Sequence, residues 1–216
     1  MAGWDYEKHP ERHSVTNACT VMQQRLVQSE DEQLQVLADT RPFHKEIFEK
    51  TTLDGFEAYA GCYRGAKYDY LIDCPVYIGG HNQYGVYQVV HIGTPPEQVE
   101  SEMGLFHNAL IRDVFSFDDK AKQAHMDQAQ RLIVFSSILA ARIVQFLSIH
   151  PYVNGNGHIS RLIAWTLFLL RGFNISNWNI DIRPSQPFDE CIRLYQKGEP
   201  QHLRQYFFTV LVNGAL

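Results

Sequence analysis

The chain has no excess of positive charge: 19 Lys and Arg against 24 Asp and Glu leave a formal net charge of −5 over 216 residues. Bulk attraction to nucleic acid is therefore not expected, although a local basic groove is compatible with that balance. Cysteines are few and scattered. Cys19, Cys62, Cys74 and Cys191 form no C-x-x-C pair and lack a matching histidine spacing, so neither a zinc site nor a disulfide framework is indicated. Reduced thiols and a cytoplasmic location are the expectation. The start, Met-Ala-Gly-Trp-Asp, lacks the charged-then-apolar pattern of a secretory leader. His9 and His13 have no carboxylate or cysteine partner at ligand spacing and read as a solvated terminus rather than a metal site. There is no repeat, low-complexity tract or clear linker. A chain of this length is most simply one domain that buries roughly 70% of its unfolded surface.

Long apolar runs are nearly absent as well. The run from Leu132 to Ile149 has the length of a membrane span, but Arg142, Gln145 and several serines interrupt it. An arginine at a bilayer centre costs roughly 2.5–3.5 kcal/mol on insertion scales, so a buried core helix is expected and no membrane span.

What is present is legible helix punctuation. Ser29-x-x-Glu32 is a capping-box pattern that opens a helix through Leu34 and Leu37, and Pro42 starts the next. Thr94-Pro95-Pro96-Glu97 opens another, from Pro95 to about Phe115, with Val99, Met103, Phe106 and Leu110 on one face. Asp118 and Asp119 suit the start of the helix that runs toward His150. Gly172 and Gly198 read as residues ending helices, and a last helix spans about Gln201–Val212. One region has a different period. Pro75-Val76-Tyr77-Ile78 and Val86-Tyr87-Gln88-Val89-Val90 are β-prone runs around Gly79-Gly80-His81-Asn82-Gln83-Tyr84-Gly85, a hairpin with a longer loop. The expected fold is mainly α, with a β-hairpin inserted before Thr94. Residues 1–50 form a helical extension of uncertain assignment, and 51–216 one compact unit.

The densest chemical signal is His150-Pro151-Tyr152-Val153-Asn154-Gly155-Asn156-Gly157-His158-Ile159-Ser160-Arg161. Proline disfavours the α conformation in the residue before it, so the preceding helix stops near His150. The glycines permit a tight turn whose backbone amides, with the next helix N-terminus, suit a phosphate.

This stretch resembles the signature of the Fic family, H-x-F-x-D/E-G-N-G-R-x-x-R. His150, the aromatic Tyr152, Gly155-Asn156-Gly157 and Arg161 fit, whereas Asn154 replaces the acidic residue and His158 the first arginine. The hairpin, Gly61-Cys62-Tyr63-Arg64-Gly65 and Pro95-Pro96-x-x-Val99 extend the resemblance over about residues 55–212. It implies a Fic-like helical domain with a hairpin flap. It also implies transfer of a nucleoside monophosphate, usually AMP from ATP, to a Ser, Thr or Tyr hydroxyl of a target protein. In that reading His150 is the general base, and Gly155, Asn156, Gly157 and His158 hold phosphate, with the Asn156 side-chain amide contributing. Arg161 grips the leaving phosphates, and Pro151 and Tyr152 shape the loop. Ile78, Gly79, Gly80 and His81 of the flap would pair with an extended target segment. The end of the preceding helix would favour a charged His150, so a neighbour must keep its imidazole neutral.

Asn154 offers magnesium an uncharged carbonyl, so the Mg²⁺ that the family holds with an acidic residue would be bound weakly. Two other readings stay open: transfer of a phosphoryl or other phosphate-linked group, or nucleotide hydrolysis; and a regulator that binds nucleotide without turnover. Many Fic proteins are restrained by a glutamate in an S/T-x-x-x-E-G/N helix, but none of the twelve glutamates here has Ser or Thr four positions earlier. A separate inhibitory partner, or no such restraint, is the expectation.

Overall fold

The computed structural model describes residues 4–81, 87–173 and 175–214, so Asn82–Gly85 of the expected hairpin loop lie outside the described residues. Near the N-terminus α1 (His13–Gln28) turns Val15, Cys19, Met22 and Leu26 inward, the stripe an amphipathic helix needs. Ser29 then accepts a hydrogen bond from the Glu32 N–H at 3.2 Å and starts α2 (Glu30–Ala38) as its spacing predicts. The Glu32 side chain does not return the bond; it pairs with Arg25, which also forks onto Glu46. Next, α3 (Arg41–Phe48) carries Pro42 in its first turn.

The hairpin follows. β1 (Tyr77–His81) pairs antiparallel with β2 (Tyr87–Ile92) in register Tyr77↔Ile92 and Ile78↔His91, with an irregularity between Ile78 and Gly79. The first strand thus starts two residues later than its apolar run and takes in the glycines. Thr94 does not cap the next helix. A 3₁₀ turn, Pro96–Gln98, leads into α4 (Val99–Gln123), and Thr94 is instead tied by its N–H to the Ile149 carbonyl.

Asp118 and Asp119 lie inside α4 rather than opening a new helix, because Phe117 and Ala121 carry its buried face onward and Asp118 pairs with Arg171. The break comes at His125, held left-handed at φ 50°. A complete capping box between Asp127 and Gln130 then starts α5 (Gln128–Ile149). After the signature loop come α6 (Asn156–Leu169), α7 (Phe188–Gln196) and α8 (Gln201–Gly214). Gly172 and Gly198 end α6 and α7 as expected, at φ 75° and 91°. Phe173 and Glu199 send their N–H groups back to Phe168 and Leu194.

Among the described residues α5 is the one helix long and apolar enough to cross a membrane. It packs against α4, α6, α7 and α8, with Phe135, Leu139, Ile143, Phe146 and Ile149 buried. Each such side chain contributes about 1.5–3 kcal/mol of burial. The N-terminal helices share this core, since Val15, Cys19, Met22 and Leu26 belong to the same buried cluster as α5 and α6. The fold is mainly α with one small hairpin, and α5, α6 and the hairpin base converge on the signature loop.

Candidate functional site

His150 caps the C-terminus of α5 in the left-handed conformation, φ 53° and ψ 60°, while its N–H still donates to Phe146. A non-glycine residue there is strained by roughly 1–2 kcal/mol, so its surroundings must hold it. Arg64 does so. Its guanidinium, 1% exposed, donates to the His150 carbonyl at 2.8 Å, Ile149 at 3.0 Å, Thr94 at 2.9 Å and Cys74 at 2.8 Å. Arg64 thus satisfies the carbonyls left over at the end of α5 and places a cation at the negative end of its dipole. Its N–H also binds the Pro151 carbonyl at 2.8 Å. The hairpin base closes in from the other side: a Cβ on Gly93 would lie 3.3 Å from His150 Cβ and 3.2 Å from Arg64 Nη2.

The imidazole of His150 is mostly buried, and burial together with the Arg64 charge pulls its pKa down to about 4. The Leu147 carbonyl pulls the other way, but Nδ1 is buried without a partner in hydrogen-bond geometry. The ring is therefore neutral at pH 7. Desolvation and Arg64 outweigh the helix end that favours the charged form.

Beyond Pro151 the loop is fixed by aromatic packing. Tyr152 is fully buried, shares a 2.7 Å hydrogen bond with Thr40 and stacks on His44 with ring centroids 3.8 Å apart. His44 Nδ1 accepts from the Gly61 N–H, so Nε2 carries the proton that reaches the Asn154 carbonyl. Burial drives the His44 pKa down to about 3. Asn156 is buried, and its side chain clamps both backbone groups of Tyr152, accepting at 3.0 Å and donating at 2.7 Å. This amide staples the loop, with Oδ1 and one Nδ2 hydrogen both spent on Tyr152.

Gly155 sits at φ 79°, where a Cβ would come within 2.4 Å of the Phe48 ring. It is the N-cap of α6 and, having no side chain, gives the first-turn N–H groups no side-chain cap. Asn154 spends its polar ends inside the protein, Oδ1 accepting from Gly155 N–H at 2.7 Å and Nδ2 donating to the Trp4 carbonyl at 3.2 Å.

The two basic residues of the signature are buried. His158 stands between the rings of Phe48 and Tyr6, edge-on to both, and its Nε2 lies 3.2 Å from Asp181 Oδ1. Burial lowers its pKa more than Asp181 raises it, while the bond to His158 lowers that of Asp181. The consistent state is a neutral imidazole donating to a carboxylate. Arg161, 5% exposed, donates through Nε to Ile180 and through Nη2 to Asp181, both main-chain carbonyls. Its remaining nitrogen, Nη1, folds back on the loop, 3.2 Å from where a Cβ on Gly157 would sit. Burial lowers its pKa to about 10, so it stays charged at neutral pH.

Sequence reasoning identified the loop but missed Arg64 as a support of His150, His44 beneath Tyr152, and Asp181. It also gave no sign that Trp4 and Tyr6 lie against the loop. Two surface clefts, about 640 and 530 Å³, lie elsewhere; among the described residues neither is lined by His150, the loop or Arg161. On the flap, Tyr77, Val89 and Ile92 are exposed.

Among curated proteins, none matches this sequence. Residues 37–168, more than half of the 216-residue chain, match the Fic/DOC family. That span runs from α2 to the last turn of α6 and contains the hairpin, Arg64, His150 and the glycine loop. By that match, the chain belongs to the Fic/DOC family.

Proposed function

We propose that this chain transfers a nucleoside monophosphate, AMP from ATP, to a Ser, Thr or Tyr hydroxyl of a target protein. The hydroxyl oxygen would attack the α-phosphorus, the bond to the β-phosphate would break, and pyrophosphate would leave. The supporting observation is a juxtaposition. A neutral His150 is pinned at the end of α5, directly ahead of the uncapped N-terminus of α6, with the Arg161 guanidinium folded back on Gly157. His150 would take the hydroxyl proton in the transition state, for which the neutral ring is the required form. The Asn156 and Gly157 amides face the site of developing phosphoryl charge. Arg161 offers Nη1 to the departing phosphates, and the Ile78–His81 edge offers backbone groups to an extended target segment.

The family also implies Mg²⁺. The loop fits it poorly: its one candidate ligand, Asn154 Oδ1, is uncharged and already accepts from Gly155. No step is assigned to the ion.

A different observation favours a second reading. Asn154 is committed to Gly155 and Trp4, and His158 to Asp181, so both departures from the family pattern turn inward instead of toward a nucleotide. That arrangement suits a protein that binds a nucleotide without turning it over, or that moves a different phosphate-linked group. Incubating the protein with ATP, GTP, CTP or UTP and a cell lysate, read by intact mass, separates these readings. A nucleoside monophosphate adduct supports the proposal. A phosphate adduct or free hydrolysis products point to the other transferase or hydrolase chemistry, and binding without products to the regulator.

A further inference from the structure

We propose that Cys19, His158 and Asp181 form a binding site for a thiophilic divalent cation of the Zn²⁺ type, separate from any nucleotide-borne Mg²⁺. The three residues come from distant parts of the chain: α1, the first turn of α6 and the segment after it. Their ligand atoms lie within 4.8 Å of one another. Cys19 and His158 are buried and Asp181 is half-buried.

The geometry is close to what such an ion needs. Metal–nitrogen and metal–oxygen bonds of about 2.0–2.2 Å at a tetrahedral angle separate the two atoms by about 3.3–3.5 Å, and His158 Nε2 stands 3.2 Å from Asp181 Oδ1. A sulfur at about 2.3 Å from the metal would sit roughly 3.6 Å from either atom. Cys19 Sγ lies within 4.8 Å of both, so binding would draw the sulfur in by about 1 Å at most. Thr16 donates to Asp181 Oδ2 at 2.9 Å, which leaves Oδ1 directed at His158 and supplies the outer-shell bond that orients a ligating carboxylate.

The donor set selects the ion. One sulfur, one imidazole nitrogen and one carboxylate oxygen suit zinc-like ions over Mg²⁺ or Ca²⁺, which take oxygen donors. Two negative ligands balance the dication: on binding, Cys19 releases its thiol proton to solvent, and the His158 proton moves from Nε2 to Nδ1 so that Nε2 can ligate. The neighbouring charge is Arg161, which opposes cation binding; its guanidinium is turned onto the Ile180 and Asp181 main-chain oxygens. Solvent would take the fourth position. Cys19 and Asp181 lie outside residues 37–168, the part shared with the family. His158 is the signature position at which the family pattern has arginine, a side chain that cannot ligate a metal.

The test uses the reduced, metal-stripped full chain titrated with Co²⁺. The expected result is a thiolate-to-cobalt charge-transfer band in the near ultraviolet that saturates at about one equivalent and is displaced by Zn²⁺. Cys19→Ser should abolish the band, and Cys62→Ser should leave it unchanged. Thr16→Ala should weaken Co²⁺ binding by about 10–100-fold. Absence of the band at up to about 1 mM Co²⁺, or its persistence in Cys19→Ser, overturns the site. Visible absorption without the ultraviolet band would mean that the thiolate does not ligate the ion, and overturns it equally. If Cys19→Ser does not fold, Asp181→Asn and Thr16→Ala decide: parental affinity in both refutes the proposal.

Discussion

The two glycines of the loop should respond oppositely to alanine, because one is required by the fold and the other by the ligand. Gly155 is left-handed at φ 79°, and a methyl there would press into Phe48 at 2.4 Å and reach His44 Nε2 at 3.0 Å. The conformation alone costs an alanine about 1–2 kcal/mol, and overpacking a core typically costs about 1–3 kcal/mol. Gly155→Ala should therefore lose about 2–5 kcal/mol, a fall in Tm of roughly 4–20 °C for a domain of this size. Gly157 has ordinary helical backbone, and its added methyl would meet only Arg161 Nη1, at 3.2 Å. Helix propensity returns up to about 1 kcal/mol at that position, so stability should change by less than about 1 kcal/mol either way. The methyl would nevertheless fill the gap between the loop and Arg161, where the proposed nucleotide's phosphate would sit. Loss of one charge-assisted contact, about 1.5–3 kcal/mol, predicts ATP binding weaker by about tenfold or more. Thermal unfolding followed by circular dichroism gives the first quantity and calorimetric titration with ATP the second. A Gly157→Ala protein as unstable as Gly155→Ala, or one that binds ATP like the parent, refutes this division of roles.

Three further outcomes follow from the same geometry. His150→Ala should lower transfer by roughly 10²–10⁴-fold while ATP affinity, measured by calorimetry, stays close to that of the parent; an unchanged rate removes His150 from the chemistry. Trp4 is 5% exposed, stacks on Tyr59 and donates to the Thr51 carbonyl, so Trp4→Ala should cost about 3–5 kcal/mol in urea unfolding; a loss below about 1 kcal/mol would show that the segment over the loop is not anchored. His44 takes up its proton near pH 3 when folded against 6.5 for the free side chain, so the unfolded chain protonates first as pH falls. The stability from this site is complete above pH 6.5, declines toward pH 3 and is already lower by about 2 kcal/mol at pH 5. His107, His150 and His158 shift the same way, so a urea midpoint at pH 5 equal to or above that at pH 7.5 would contradict the assignment.

The parts of this structure that were legible in the sequence are those whose cause lies within a few residues. Ser29, Gly172, Gly198 and Pro151 act on their own turns, and each ends or begins a helix where its spacing says it should. The misplaced boundary has the opposite character. Asp118 looks like a helix start, but its carboxylate is taken by Arg171, 53 positions away. The true break falls at His125, whose left-handed backbone nothing in its side chain announces. The site divides the same way. Glycine spacing marked the turn, while Arg64 reaches His150 across 86 positions and Asp181 meets His158 across 23. Neither partner stands in the signature. The stretch Gly61-Cys62-Tyr63-Arg64-Gly65 was visible as a likeness, but only the fold shows that its arginine closes α5.

Arg64 and Arg161 share a property that bears on what the loop is for. Both are buried, and among the described residues neither forms an ion pair. Each is satisfied by main-chain carbonyl oxygens: four for Arg64, two for Arg161. Even Asp181, whose backbone oxygen accepts from Arg161, turns its side chain to His158 and Thr16. A carboxylate partner would satisfy the donors and cancel the charge; a carbonyl satisfies the donors and leaves the charge standing. That arrangement carries a desolvation cost, visible in the lowered pKa of both arginines. What the cost secures is a fixed positive field on both sides of the loop. Beside His150 it adds to burial in keeping the imidazole neutral, and beside Gly157 it would meet the phosphates of the proposed nucleotide. Dipoles and cations held in place before the reaction need no reorganisation as charge develops, which is the form of stabilisation that phosphoryl chemistry uses. A loop built only to join two helices would have been more stable with the charges paired or absent.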